Sequence, residues 1–461
     1  MADPLWTSAE IVAATGGALA GAAFDVSGVS IDTRSLEPGD MFVALAGERD
    51  GHEFVGQALA KGAAGVLASR PVDGPAVVVG DTLAALEKLG VAARERAKGA
   101  RRGAVTGSVG KTSVTQAVAA GLVLAGRSHN SVKSYNNHIG VPLTLARMPR
   151  DTERAVFEVG MNHAGEIEPL SKMIAPHAVA ITTVGPVHTE NFADGEAGVA
   201  RAKAEIFAGL EPGGLAILNA DNEWFAQLND AATSAGARVA TFGEEPDFDA
   251  QLVDFTLTDA GAVISARLHG EALRFPIRQS GFHWGLNSLS VLLMLEALGV
   301  SRDTSIQALS DFAPLEGRGA ARQIAIPGGA FTLIDDSYNA NPISMAAALR
   351  SLGARPAKGR RIVALTDMLE LGADAAERHA SLARDADLAD VDLVFCAGPL
   401  MHALWVALPP TRRGGYALSA AELAPEVAGA VAPGDVVLVK GSNGSRASLI
   451  AAALAAGKGA G

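Results

Sequence analysis

A single cysteine, Cys396, occurs in 461 residues. Intrachain disulfides and cysteine-cluster metal sites are therefore excluded, and the usage fits a reducing compartment. Positive charge is also scarce: 38 Lys and Arg face 50 Asp and Glu, for a formal charge of -12. No broad field exists to attract nucleic acid or an anionic membrane, so any phosphate must be held locally. No apolar run reaches the roughly 18 residues that a membrane span needs. The longest uncharged stretch, Gln279 to Leu295, carries His283 and Asn287. The N-terminus has Asp3 and Glu10 and no basic segment, so neither a signal peptide nor membrane insertion is expected, and the location implied is cytoplasmic. Charged residues make up 19% and nearly half the chain is apolar, which excludes general disorder. Cys396 sits in the apolar run Val391 to Cys396 and reads as a core residue.

The length exceeds one ordinary core and suggests about three domains. Residues 1–98 read as a small mixed α/β domain with short strands at Phe42 to Leu45 and Val77 to Val79. The charged run Arg94 to Arg102 marks a boundary. Over 99–314, strand, glycine turn and helix repeat, the signature of a parallel α/β sheet. Its expected strands are Gly103 to Thr106, Ala155 to Val159, Ala178 to Val184 and Leu215 to Asn219. Alternating apolar and polar residues from Gln251 to Ile277 read as a β-hairpin addition, and a helix follows from Gly285 to Gly299. Over 315–461, strands at Phe331 to Asp335, Arg361 to Thr366, Asp392 to Ala397 and Val436 to Lys440 alternate with helices, as in a doubly wound Rossmann-like domain.

One segment carries chemistry by itself. The short strand Gly103 to Thr106 runs into Gly107-Ser108-Val109-Gly110-Lys111-Thr112-Ser113, and a helix rich in Ala and Val follows. Glycines let backbone N–H groups curl around phosphate oxygens, the helix start adds positive potential, and Lys111 reaches the outer phosphates. Thr112 offers its hydroxyl to magnesium. The chain therefore reads as an ATP-using enzyme. The standard loop has a glycine where this one has Val105. A magnesium held by one hydroxyl and phosphates also needs a carboxylate at a neighbouring strand end, and Glu158, closing Ala155-Val156-Phe157-Glu158, fits. No Asn-Lys-x-Asp guanine motif is present.

Read together, several further runs resemble the Mur ligase family, which builds the bacterial cell-wall peptide. The loop Thr106-Gly107-x-x-Gly110-Lys111-Thr112 is similar to that family's version, which accounts for Val105. Ser30-Ile31-Asp32-Thr33-Arg34, Pro38 to Phe42 and Asp50-Gly51-His52 resemble its uridine-nucleotide domain, with Asp32, Thr33 and Arg34 near uracil and diphosphate. Tyr135 to Pro142 resembles a substrate loop. Asn137 is the implied contact there, while His138 departs from the usual acid. Glu158-Val159-Gly160-Met161-Asn162 resembles the metal-binding strand end, and Asn162 a substrate contact.

The resemblance further implies that His188 ligates a second magnesium and that Lys203, once carbamylated, helps to position magnesium. It implies that Asn287 in His283-Trp284-Gly285-Leu286-Asn287 contacts adenine and that Arg318 holds ATP phosphates. In Asp335-Asp336-Ser337-Tyr338-Asn339-Ala340-Asn341-Pro342, Asp336 would touch the ribose, and the whole run points to the dipeptide-adding branch. Asp367 to Gly372 and Lys440 to Asn443 would line the cleft from the far side.

The activity so implied is ATP-dependent joining of D-alanyl-D-alanine to a UDP-N-acetylmuramoyl-tripeptide through an acyl phosphate, with two magnesium ions. Lys111, Glu158, His188 and Lys203 would be the catalytic set, on a monomeric enzyme. Two alternatives stand beside it: another ligase of the family, including the folylpolyglutamate type, and an ATP-hydrolysing switch protein of a different class.

Overall fold

The computed structural model describes residues 3–457, apart from positions 48, 133, 188 and 259. Among the described residues a small antiparallel pair, Trp6–Thr7 with Asp25–Val26, accompanies three larger sheets that follow one another along the chain. The first has five strands between Ala18 and Val78, and all but its antiparallel edge strand Ala18–Ala20 run parallel. A parallel sheet needs crossover helices, and its strands are buried on both faces. Met41, Val43, Val66 and Leu67 accordingly show no exposure.

The middle sheet has nine strands. The six from Ser128–Asn130 through Arg154–Glu158, Arg101–Thr106, Ala178–Ile181 and Leu215–Asn219 to Arg238–Gly243 pair in that spatial order, all parallel. The strand of the phosphate loop, Arg101–Thr106, therefore lies between the strand ending in Glu158 and Ala178–Ile181. Ligands of such sheets bind beyond the carboxyl ends of the strands, where Thr106, Glu158 and Ile181 lie together. The expected hairpin over 251–277 is a three-stranded meander, Ala250–Thr258, Gly261–Leu268 and Glu271–Ile277, extending the same sheet.

The last sheet has six strands. An antiparallel hairpin, Ala320–Ile326 and Gly329–Asp336, pairs through its second strand with Val436–Lys440, and the remaining strands are parallel. Helix Pro342–Gly353 crosses over from Asp336, started by a capping box between Asn341 and Ser344 with Pro342 in the first turn. Cys396 is fully buried in this unit, and burial pushes its thiol up to about 12, as a packing residue requires.

One strand end differs from the expectation, and the boundary run Arg94 to Arg102 is anchored at both of its ends, Arg94 donating to the carbonyls of Lys172 and Met173. Helix Thr82–Arg96, capped by Asp81, packs on the middle unit's helix Gly140–Ala146, and Gly90 allows the close approach to Pro142 and Leu145. Arg102 is buried, and its guanidinium donates to the carbonyls of Ala100, Ile174 and Ala175 and to Glu211. The strand expected to reach Val184 stops at Ile181, because the next residues turn their polar groups to the phosphate loop.

Candidate functional site

The phosphate loop is built from backbone. Gly107 has φ +148°, and a Cβ there would meet the Thr182 hydroxyl at 2.0 Å; Gly110 has φ +85°. Both positions demand glycine. Helix Lys111–Ala125 begins at Gly110 with no side-chain cap, unlike the helices started by Asp81 and Asn341. Its first N–H groups are thus left for an anion.

The loop is latched to the end of the neighbouring strand. Ser108 N–H donates to Thr183 O at 2.8 Å, Gly185 N–H to the Ser108 hydroxyl at 3.1 Å, and the Thr182 hydroxyl to Val109 O at 2.5 Å. Nothing in the sequence singled out Thr182 or Gly185, since they lie some 75 residues from the loop they hold.

Lys111 is half-buried and donates to Gly107 O at 2.5 Å, folded back over its own loop. Burial lowers its affinity for a proton, the Glu158 carboxylate opposes that, and the Arg318 charge adds to it. Glu158 is 1% exposed. Its Oε1 accepts from the Asn136 amide at 2.7 Å and its backbone N–H donates to the Ser131 hydroxyl at 3.0 Å, while Oε2 is buried with no hydrogen-bond partner. A buried carboxylate oxygen left in that state is a place for a cation. Asn136 is the side chain that aims Glu158, a role the sequence did not assign to it.

Asn137 is exposed, and its Oδ1 accepts from the N–H groups of Ile139 and Gly140 at 3.2 and 2.9 Å, starting the helix Gly140–Ala146. Asn162 is exposed as well; its N–H donates to Glu166 and its carbonyl accepts from Asn191. His188 lies outside the described residues.

Lys203 is 2% exposed at the end of helix Glu196–Ala204 and has no hydrogen bond or ion pair among the described residues. Burial first, and the charge of Lys111 second, push its pKa well below the usual lysine value. Both effects disfavour the charged ammonium.

The facing wall comes from the last unit. Arg318 lies over the Tyr338 ring, 4.0 Å from its centroid, and the Tyr338 hydroxyl meets Ser134 at 2.9 Å. Ser134 in turn lies 3.4 Å from the Thr112 hydroxyl. Asp336 accepts from Lys440 at 2.6 Å, and Lys440, itself 2% exposed, also donates to Asn339 O at 3.0 Å. His283, exposed in the first turn of helix His283–Ala297, lies in the field of this pair. Asn287, one turn on, places its amide against Gly110 of the phosphate loop.

In the first unit, Asp32 and Arg34 form an exposed bidentate ion pair, and Thr33 donates to Gln57 at 3.0 Å. These three stand apart from the phosphate loop, on the five-stranded sheet. Lys111, Glu158, Thr112, Arg318 and Asn287 are brought together.

This division of labour over three successive units is shared with known proteins. Residues 25–98 match the description "Mur ligase family, catalytic domain", 105–295 "Mur ligase middle domain" and 322–443 "Mur ligase, glutamate ligase domain". The UDP-N-acetylmuramoyl-tripeptide--D-alanyl-D-alanine ligase of Escherichia coli K12 is 36% identical over 85% of each chain. The enzyme of that name from Bacillus subtilis 168 is 34% identical over 81% of this chain and 80% of its own. A crystal structure of MurF from Acinetobacter baumannii superposes with a TM-score of 0.86 at 29% identity, over 98% of this chain and 99% of that one. With three family descriptions matched in succession and relatives 34% and 36% identical over most of its length, the chain belongs to the Mur ligase family.

Proposed function

We propose that the chain is the ligase that adds D-alanyl-D-alanine to UDP-N-acetylmuramoyl-tripeptide, with ATP converted to ADP and phosphate, in the synthesis of peptidoglycan precursor. The reading rests above all on the 36% identity over 85% of the chain to an enzyme of that name. The phosphate loop, with half-buried Lys111 and buried Glu158 beside it, supplies the physical reason. The division into 1–98 for the UDP substrate, 99–314 for ATP and 315–461 for closing the site belongs to this proposal. So do a monomeric state and a cytoplasmic location; among the described residues no helix is long and apolar enough to cross a membrane.

An amide cannot form directly from a carboxylate in water, since the carboxylate is a poor electrophile. The terminal carboxylate of the tripeptide attacks the γ-phosphorus of ATP, giving an acyl phosphate and ADP. The dipeptide amine then attacks the acyl carbon and phosphate departs. Both steps bring anions together, so the protein's task is neutralising charge and holding the reactants in line. Lys111 swings from Gly107 O to the transferring phosphate, the free N–H groups from Gly110 onward receive phosphate oxygens, and Arg318 approaches from the far wall. Asp336 holds the ribose, Asn287 the nucleotide base, and Asp32, Thr33, Arg34, Asn137 and Asn162 the UDP-linked peptide.

The donor set fits magnesium, because the Thr112 hydroxyl and the orphaned Oε2 of Glu158 are hard oxygen donors. Among the described residues no three His, Cys, Asp or Glu side chains cluster to hold a metal unaided, so phosphate oxygens complete the shell. His188 and a carbamylated Lys203 would serve a second ion. Magnesium supplies charge neutralisation at the phosphates. Lys203 loses a proton and gains CO₂ to become an anion attracted to Lys111.

Phosphate release and product mass, measured with UDP-N-acetylmuramoyl-tripeptide and D-alanyl-D-alanine, test the reading. Release that requires both substrates is expected, with a product heavier by one dipeptide residue pair. ATP turnover indifferent to either would point instead to a nucleotide switch and defeat the proposal.

A further inference from the structure

A phosphate loop made of backbone works only if its N–H groups face inwards. Each peptide unit is planar, and none among the described residues is cis, so a carbonyl and the N–H of the next residue point to opposite sides. Turning a carbonyl out of the loop therefore turns the following N–H in. At Val109 the donor that does this comes from another segment. The Thr182 hydroxyl donates to Val109 O at 2.5 Å, which directs the Gly110 N–H to the inner side of the loop. We propose that Thr182 positions the Gly110 N–H for the nucleotide phosphates, and that Asn222 in turn positions Thr182. The assignment rests on the reading above that ATP is held in this loop.

Thr182 is buried and braces the loop over most of its outer side. Its N–H donates to Thr106 O at 3.0 Å, and its side chain lies against Gly107, where any Cβ would strike the hydroxyl. A hydroxyl has one proton to give. Thr106 O is 3.4 Å from it and Val109 O is 2.5 Å, so the proton belongs to Val109. Lys111 holds another loop carbonyl, Gly107 O, but must leave it to reach a phosphate. Thr182 carries no charge that a phosphate could draw away, and it stays.

The run 182–185 needs a brace of its own, because it follows the end of strand Ala178–Ile181 and lies beyond the ladders on both sides. Two asparagines at the end of the next strand, Leu215–Asn219, supply it. Buried Asn219 donates through Nδ2 to Thr182 O at 3.3 Å. Asn222 donates through Nδ2 to Val184 O at 2.8 Å and to the Thr183 hydroxyl at 3.0 Å, while its Oδ1 accepts from Trp224 N–H at 3.1 Å. An amide suits this place, since a carboxylate has no proton to offer a carbonyl. Contacts thus run from Asn222 through 182–184 to Val109, and so to the Gly110 N–H. The loop takes its shape from a strand end two strands away.

The test is ADP binding by calorimetry, with magnesium and no peptide substrate, on the full chain carrying Thr182→Val, Thr182→Ser or Asn222→Ala. Valine keeps the branched shape without the hydroxyl, and serine keeps the hydroxyl. The ADP dissociation constant is expected to rise on the order of 10-fold in Thr182→Val, the worth of one hydrogen bond, and to return to within about threefold in Thr182→Ser. Asn222→Ala, acting through one more residue, should raise it about threefold. KM for ATP should move with these values, while KM for UDP-N-acetylmuramoyl-tripeptide and for D-alanyl-D-alanine stays. Unchanged ADP affinity in Thr182→Val overturns the proposal. So does a loss that serine fails to restore, or one shared equally by all three substrates. A lower urea midpoint with ADP affinity intact makes these residues structural only, and overturns it as well. Should Thr182→Val not fold, Asn222→Ala decides, and undiminished ADP affinity there is fatal. An unmodified chain that binds no ADP defeats the reading beneath the proposal. One that binds ADP but shows no dipeptide-dependent phosphate release defeats the ligase reading alone.

Discussion

The phosphate loop and the wall that faces it are built in opposite ways. The loop is one continuous segment, Thr106 to Ser113, whose recognition groups are backbone N–H donors and whose glycines are required by φ and by the Thr182 hydroxyl. The wall is assembled from three runs around 336–341, 369–371 and 440–444, pinned together by side chains: Lys440 to Asp336, and Ser442 to both Ala340 O and Leu369 N–H. A phosphate presents the same oxygens to every enzyme, so backbone dipoles suffice. A peptide must be told from other peptides, and that takes side chains whose relative places only a folded unit can set.

The two regions also use their lysines differently. Lys111 has a neutral carbonyl as its hydrogen-bond partner and a charge reserved for a ligand. Lys440 spends its charge on Asp336, inside the protein. Replacing Lys111 by Met should lower phosphate release by roughly 10²- to 10³-fold, the usual cost of removing a preorganised electrostatic group. Urea unfolding of that variant should be unchanged or shifted to higher denaturant, because a desolvated cation has gone. A marked loss of stability would place Lys111 with Lys440 as a structural residue and end the contrast.

Glu158→Gln should follow. The amide can keep the bond from Asn136, but it loses the charge on the orphaned oxygen. The magnesium concentration for half-maximal rate should rise roughly 10- to 100-fold, as read from a magnesium titration. An unaltered requirement would show that Glu158 is a core acid.

Lys440→Met sharpens the comparison from the other side. Removing one partner of a fully buried pair costs about 3–5 kcal/mol. The Asp336 side chain is 23% exposed and can recover some hydration, so a loss of about 2 kcal/mol in urea unfolding is the expected order. Little change in stability would mean that the wall does not depend on this pin.

The smallest effect concerns pH. His129 on the middle sheet's edge strand Ser128–Asn130 is half-buried, its Nε2 bonded to Thr144 O, and desolvation pushes its pKa from 6.5 to about 4. The unfolded chain takes up that proton near 6.5 and the folded chain only near 4. The unfolded state therefore binds more protons between those values, and stability rises with pH across them. The contribution is complete above pH 6.5 and is lost as pH falls towards 4. Thermal unfolding followed between pH 7 and 5 should decline in the native chain and flatten in His129→Gln; parallel slopes would exclude this ring as the cause.

Sequence legibility divided along the same line. Lys111, Thr112 and Glu158 could be found because a strand end, a glycine turn and an acid at the next strand's end are short-range patterns with a chemical reason. The strands Leu215–Asn219, Arg361–Thr366 and Val436–Lys440 were legible to the residue, since each is a buried apolar run between turn signals. Thr182, Gly185, Asn136 and Ser134 were not, because hydroxyls and amides are common and their value depends on what a distant segment brings to them. The packing of the run Arg94 to Arg102 was hidden for a related reason: charge usually marks solvent, and here carbonyls at the end of another helix bury Arg102.

Taken alone, the chain's order of residues pointed to a phosphate loop and its lysine, because the glycine pattern around Gly107 and Gly110 is a local property. It also determined the family, since several motifs recur in one order. Only the tertiary structure decided that Glu158 is held by Asn136, that Lys440 is committed to Asp336, and that the Thr182 hydroxyl reaches Val109 O. Those facts depend on which segments meet across the parallel sheets and between the units. Such meetings follow from the burial of whole faces, which no single residue or short motif records.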